Sequence, residues 1–469
     1  MSRDAEPQTV NMDRRTLLAT AGSAAVGLSA MPSAIAAGGS DAKFGRPHIR
    51  PRARNIVWLF MSGGPSQVDS FDPKPTLTKL DGQDVPESIA KTLPRLKEAS
   101  LFNLMASPYQ FRQHGESGLP VSDLFPETAK HIDRLCVIRS MRHGTPVHGP
   151  GECVALTGTA LGDRPSLGAW VSLGVGTQNH SLPGFIVMNL LTSGMQYPQV
   201  AGWGPGFLPA EHQGVVVDPV KGIRDLDLPA GTSNEMRQRQ LGLLDFLNRR
   251  HVQSLGQHSE LEARIRSYGT AFRMQTHAPE LLALDQETEE TQRRYGMLEG
   301  PTQATGRSLL LTRRMVERGV RFIQVRIGGW DAHGNLKGNH NGMAAKTDRP
   351  VAAFLEDLDQ RGLLDETLVV WGGEFGRTPT MEGLGNGRNH NPLGYTVWLA
   401  GGGIRGGQAI GATDELGYAA VERPVSISDF HATLLYGLGV DQNQLVWHHH
   451  GRDEIPTNLG GQVLRDAFA

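Results

Sequence analysis

Short runs of consecutive apolar residues alternate along the chain with longer segments of helical period. Residues 55–61 (NIVWLFM), 135–141 (LCVIRSM), 185–190, 320–327 (VRFIQVRI), 367–371 (TLVVW) and 395–400 (YTVWLA) are β-branched and aromatic. They are too short for helices and too continuously apolar for a half-exposed sheet, so they read as buried strands. Helical patterns lie at roughly 152–157, 166–173, 236–296, 305–318, 348–361 and 428–437. Strands alternating with helices predict an α/β fold, a mostly parallel central sheet with helices on both faces. The polar, amphipathic stretch at 236–296 reads as a helical insertion, and the chain has no internal repeat.

In such sheets ligands bind beyond the carboxyl ends of the strands, which directs attention to the residues just after each run. Trp330-Asp331-Ala332-His333 follows the fourth run, and Asp331 and His333, two apart, point to the same side of extended backbone. The fifth run ends in Gly373-Glu374-Phe375-Gly376-Arg377, and Asn389-His390-Asn391 precedes the sixth. Carboxylate and imidazole groups at adjacent edges make a candidate site for a divalent metal ion, Zn, Mn or Ca. Each residue alone reads more readily as a turn or cap residue; the coincidence of three glycine-flanked groups carries the expectation. His143 and His148 follow the second run in MRHGTPVHGPGECVALTGT, and His148 stands just before a predicted helix. It is a candidate ligand, nucleophile, proton carrier or helix cap. Asp69 and Asp72, in SGGPSQVDSFDPKP, are the carboxylates of the first edge. Asp72, before Pro73, is also a turn former.

Composition narrows the function classes. Lys and Arg number 46 against 48 Asp and Glu, a formal net charge of −2. No basic excess is available for phosphate contacts, so a nucleic-acid partner is not expected. The 58 glycines sit in short clusters between apolar runs, as tight turns require. Two cysteines, Cys136 and Cys153, allow one bridge in an oxidising compartment but no Cys-rich zinc site. His448–His450 are a further histidine run, read chiefly as a solvated segment, and Gly401–Gly407 is not a dinucleotide fingerprint because no helix opens after it.

The N-terminus reads as an address. Arg14-Arg15, a Gly- and Ala-softened apolar stretch and Pro-Ser-Ala-Ile-Ala-Ala have the order of an export signal, of twin-arginine type, over residues 1–37. The apolar stretch is too short for a membrane span. A periplasmic or extracellular protein is expected, with a flexible leader at 38–53, one domain over 54–447 carrying an insertion around 236–300, and a tail at 448–469.

GGPSQVDSFDPKP, GGWDAHGN, FLEDLDQRGLLDETLVVWGGEFGRTP, GRNHNPLGYTVWLAGGGIRGGQAIGATD and SISDFHATLLYGLGV, together with the leader, resemble the bacterial exported family catalogued as domain of unknown function 1501, related to sulfatases and alkaline phosphatases. The resemblance implies an alkaline-phosphatase-like (sulfatase-like) fold with metal and nucleophile at the carboxyl edge. It places His148 where that superfamily carries its nucleophile, and matches Glu374 to an Asp ligand with Phe375 in place of a His. Asp331, His333 and His390 fall where further ligands are drawn, and Asp72 or Asp69 stands for the first-strand Asp. The expected function is a metal-dependent hydrolase of sulfate or phosphate esters. Asp72, Asp331, His333, Glu374 and His390 would hold the metal, His148 would be catalytic, and Arg377 would neutralise charge on the transferred group. The substrate class is a sulfated or phosphorylated small molecule or polysaccharide. The alternative is a non-catalytic protein of the same fold that binds a metal, a glycan or a partner. No Cys or Ser stands in the C-x-P-x-R setting of formylglycine sulfatases.

Overall fold

The computed structural model describes residues 44–92, 103–179, 182–190, 202–223, 231–255, 280–298, 300–382, 385–458 and 460–469. The export signal expected over residues 1–37 lies outside the described residues. All six predicted strands form. They are β1 (Asn55–Phe60), β2 (Leu135–Arg142), β3 (Phe185–Leu190), β6 (Phe322–Ile327), β7 (Thr367–Gly372) and β10 (Tyr395–Ala400). Between and beyond them lie short strands of two to four residues: β4 (Val215–Asp218), β5 (Gly222–Ile223), β8 (Gly376–Arg377), β9 (His390–Asn391), β11 (Gln408–Ile410) and β12 (Val425–Ser426). The ten-stranded central sheet runs β11-β2-β10-β7-β1-β6-β3-β4-β5, with β12 also on β2. Strand β1 is parallel to both β6 and β7, whereas β10 is antiparallel to both its neighbours. The start of β10 therefore lies at the same sheet edge as the ends of β1, β2, β6 and β7.

Alternation along β1 explains the layers. Val57 and Leu59 face one core, which takes Leu309–Leu311 of α4 (Gln303–Glu317) and Val351–Leu355 of α5 (Leu336–Gln360). Ile56, Trp58 and Phe60 face the other, with α1 (His148–Thr157), α2 (Leu167–Val175) and α6 (Ile427–Gly437). Strands buried on both faces need the unbroken apolar runs the sequence has.

One helix starts earlier than its pattern predicts. Helix α5 begins at Leu336, not near 348, capped by Asn335 in the left-handed region with its side chain accepting from Gly338 N–H. Its first turns, LKGNHNG, have poor intrinsic helix propensity, and burial of His340 and Met343 overrides it. Of the expected insertion, α3 (Asn234–Leu255) and a short helix at Glu289–Arg294 are described, while 256–279 lie outside the described residues. Both described ends of the domain make contacts with its second core. His48 and Arg52 donate backbone bonds to Gly439 and Gly437, and Leu464, Ala467 and Phe468 complete the second core. Cys136 and Cys153 are buried, unpaired thiols, so the allowed bridge does not form. No helix among the described residues is long and apolar enough to cross a membrane.

Candidate metal centre

Four of the predicted residues meet at the carboxyl edge. Each of His148, Asp331, His333 and His390 offers one ligand atom, and these atoms lie within 4.8 Å of one another. His148 opens α1, Asp331 and His333 occupy the loop after β6, and His390 begins β9. Helix α1 starts four residues earlier than its apolar pattern indicates, so His148 sits on its first turn.

The imidazoles are each fixed from behind. His148 Nδ1–H donates to Glu374 Oε1 at 2.6 Å, His333 Nδ1–H to Glu382 Oε2 at 2.7 Å, and His390 Nδ1–H to the Pro146 carbonyl at 2.7 Å. With Nδ1 of each ring donating outward, the three Nε2 atoms face inward, where each can carry a proton or give its lone pair to a cation. His333 Nε2 stands 2.9 Å from His390 Nε2 and 3.1 Å from Asp331 Oδ1. His148 Nε2 is buried without a hydrogen-bond partner, 3.3 Å from Asp331 Oδ2 but not aligned with it. Three lone pairs and a carboxylate turned on one point repel each other unless a proton or a cation lies between them. Histidine ligands backed by a carboxylate or a carbonyl are the usual outer arrangement of a metal site. The residues present fit a divalent cation.

Without a bound cation, the electrostatics place a proton in the cluster. Burial works to raise the Asp331 carboxyl, but the His148 and His390 imidazoles beside it and the Arg377 guanidinium hold it far below the carboxylate range. Burial disfavours the charged form of His148, yet Asp331 and Glu374 beside it outweigh that and hold the ring up to about 9. Burial lowers His390, with Asp331 opposing. The side chains of Asp331 and His333 are 44% and 41% exposed, so the cluster opens to solvent.

The other predicted residues take different places. Glu374 is fully buried; it accepts from Gly63 N–H at 2.9 Å and orients His148, so it stands behind the donors rather than among them. Phe375 packs its ring against those of His148 and His390, at 4.9 and 4.6 Å between centroids. Arg377 is also fully buried. It donates to the carbonyls of Gly63, Gly64 and Arg388 and to Asp331 Oδ1 at 2.7 Å, so it anchors the aspartate and cannot touch a substrate. Asp72 is not brought to the cluster. Its carboxylate is engaged by Lys74 at 3.0 Å, by Thr413 and, at 4.0 Å, by Arg139. Asp69 pairs with Arg388. His143 donates to the Glu374 carbonyl at 2.5 Å and packs on Tyr395.

Sequence reasoning missed Glu382, the Pro146 carbonyl, and a buried set behind the site: Ser62, Glu152 and Arg326. Glu382 carries no local signal beyond being a carboxylate in a glycine-rich loop. Glu152 lies one turn after His148 on α1, a spacing that puts both on one face and could have flagged it. Close approach of the edge loops explains the glycines. A side chain at Gly63 (φ +109°) would meet the Asp331 amide at 2.6 Å, and one at Gly387 the His333 carbonyl at 2.0 Å.

The chain is similar to several solved structures. A protein of the alkaline phosphatase superfamily from Vibrio parahaemolyticus is 10% identical, with 98% of this chain and 80% of that one covered, at a TM-score of 0.35. The PsFucS1 sulfatase from Pseudoalteromonas sp. is 11% identical over 89% and 76%, at 0.31. The phosphonate monoester hydrolase SpPMH from Silicibacter pomeroyi is 11% identical over 88% and 77%, at 0.33. No curated protein sequence matches. The family model described as protein of unknown function DUF1501 matches residues 53–468, nearly the whole described domain, and the chain belongs to that family.

Proposed function

We propose that this protein is an exported, metal-dependent hydrolase of sulfate or phosphate esters. The observation that carries the reading is the convergence of His148, Asp331, His333 and His390 at the solvent-facing carboxyl edge, each histidine held by an outer acceptor. Three imidazoles and one carboxylate suit Zn or another first-row divalent ion better than Ca, which prefers an all-oxygen shell. A bound cation of this kind supplies Lewis acidity toward an ester oxygen and acidifies water. The chain's own part is to hold the donors. Arg377 fixes Asp331, Glu374 fixes His148, and Glu382 fixes His333. The twin-arginine type leader supports export to the periplasm or beyond, and a sulfated or phosphorylated small molecule or polysaccharide is the substrate class.

One observation favours a second reading, a non-catalytic binder of a metal, glycan or partner. The position expected for a nucleophile holds His148, whose Nδ1 is engaged by Glu374 and whose Nε2 faces the cluster. Turnover separates the two. Purified protein assayed on p-nitrophenyl sulfate, p-nitrophenyl phosphate, bis-p-nitrophenyl phosphate and a phosphonate monoester should hydrolyse at least one. Chelation, and His333→Ala, should reduce that rate to background while the circular dichroism spectrum is kept. Full activity in His333→Ala overturns the hydrolase reading, and metal binding without turnover on any ester class selects the binder.

A further inference from the structure

Helix α3, in the insertion, carries an apolar face turned to solvent. Leu243, Phe246 and Leu247 are 60%, 59% and 50% exposed, and Met236 and Leu244 are exposed beside them. Among the described residues, no hydrogen bond or ion pair joins α3 to another helix or strand. Single apolar residues scattered over a surface need no explanation, but several gathered on one helix do.

The helical period gathers these residues. At about 100° per residue, Met236, Leu243 and Leu247 fall on one line within about 40°, and Leu244 and Phe246 widen it to an arc of about 160°. That is broader than the narrow seam along which two helices coil. Arg239 and Arg250 lie inside the arc, between Phe246 and Leu243, and both are exposed. Neither acid of the helix does. Glu235 stands just beyond the Phe246 side, and Asp245 falls on the opposite face.

The two arginines decide what covers the face. Between two copies of α3 they would be buried in an apolar contact with no acid in the arc to meet them, and uncompensated buried charge is costly. On a bilayer with anionic lipids, the same side chains lay their stems along the acyl boundary and set their guanidinium groups among the phosphates, where paired hydrogen bonds form. The helix as a whole is basic, with Arg237, Arg239, Arg249 and Arg250 against Glu235 and Asp245, although the formal net charge of the chain is −2. A helix of this length, low in overall hydrophobicity, with Leu and Phe on one face and arginines interleaved, lies in a membrane interface rather than across the bilayer.

We propose that α3 docks this protein on an anionic lipid surface, with the face formed by Met236, Leu243 and Leu247 in the headgroup region. The inference is independent of the metal and hydrolase readings, and its test needs no turnover. The full chain is sedimented with vesicles of phosphatidylcholine and phosphatidylglycerol, and separately with vesicles of phosphatidylcholine alone, at low and at high salt. It should bind the anionic vesicles, more weakly as salt rises, and bind the neutral ones poorly. Leu243→Asp with Leu247→Asp should lower affinity for the anionic vesicles at least about tenfold, with an unchanged circular dichroism spectrum. Arg239→Gln with Arg250→Gln keeps the apolar face, and should lose about tenfold on the anionic vesicles and little on the neutral ones. No binding by the wild type overturns the proposal. Binding that survives the leucine substitutions belongs to another part of the chain, the leader included, and also overturns it. Sedimentation equilibrium without lipid supplies the remaining check: a dimer that the leucine substitutions dissociate makes a second copy the occupant and overturns the lipid assignment.

Discussion

Two clusters of the same residue types lie at one end of the sheet, and they differ in whether the protein completes them. In the first, Asp69, Arg388, Ser66 and His340 are all fully buried. The Arg388 guanidinium meets both oxygens of Asp69, at 2.8 and 3.2 Å, and His340 Nε2 accepts from Ser66 N–H at 3.1 Å. Each charge has its counter-charge and each ring nitrogen its partner. In the second, Asp331 and three histidines are partly exposed, and their inward atoms face one another with His148 Nε2 unpartnered. The first cluster is a finished piece of structure; the second could hold a cation. Residue type does not distinguish them, but completeness of pairing does.

The largest expected effect tests the finished cluster. Arg388→Met strands the buried Asp69 carboxylate, and breaking a buried pair from one side costs about 3–5 kcal/mol. The urea midpoint should fall accordingly, while the folded variant still binds metal at pH 8. Loss of metal without loss of stability would erase the contrast between the clusters. A smaller effect tests the incomplete one. Glu382→Gln weakens the acceptor behind His333, and loss of such an outer partner typically reduces metal affinity roughly 10–100-fold. Competition against a chromophoric chelator should show that reduction with little change in stability of the metal-free protein. An unchanged affinity would remove Glu382 from the site.

The smallest effect sharpens the comparison by pH. Burial holds the His340 ring down to about 3 against an ordinary value of 6.5, with Asp69 opposing and Arg377 and Arg388 reinforcing. The folded state refuses a proton that the unfolded state accepts, so stability is full above about 6.5 and declines as pH falls from there toward about 3. His340→Gln keeps an acceptor for Ser66 N–H and does not titrate. The acid limb of urea midpoint against pH should be shallower in this variant; an identical slope would show that His340 does not contribute.

Much of this arrangement was legible in the chain. The apolar runs marked β1, β2, β3, β6, β7 and β10, and looking just beyond their ends found Asp331, His333, His390 and His148. The strands β4, β5, β11 and β12 were not legible, since at two to four residues even the run Val215–Val217 is too short to separate strand from loop. The start of α5 was hidden by its glycines and asparagines. Asp72 and Glu374 share the position and chemistry of ligands in the sequence, but neither supplies an inward donor. Lys74 and Thr413 take the first, and Gly63 and His148 take the second.

By itself the sequence determined the α/β alternation, the strands buried on both faces and the kind of donors at their ends. These follow from local periodicity and from residue chemistry, which neighbours in the chain suffice to express. Tertiary structure alone decided that the antiparallel β10 brings His390 to the edge where β6 ends, that Glu382 and Pro146 back two of the histidines, and that Arg377 turns inward to Asp331. Those are pairings between segments far apart in sequence. They are set by strand order and by the close approach of glycine-lined loops, and no local pattern encodes which buried group will meet which.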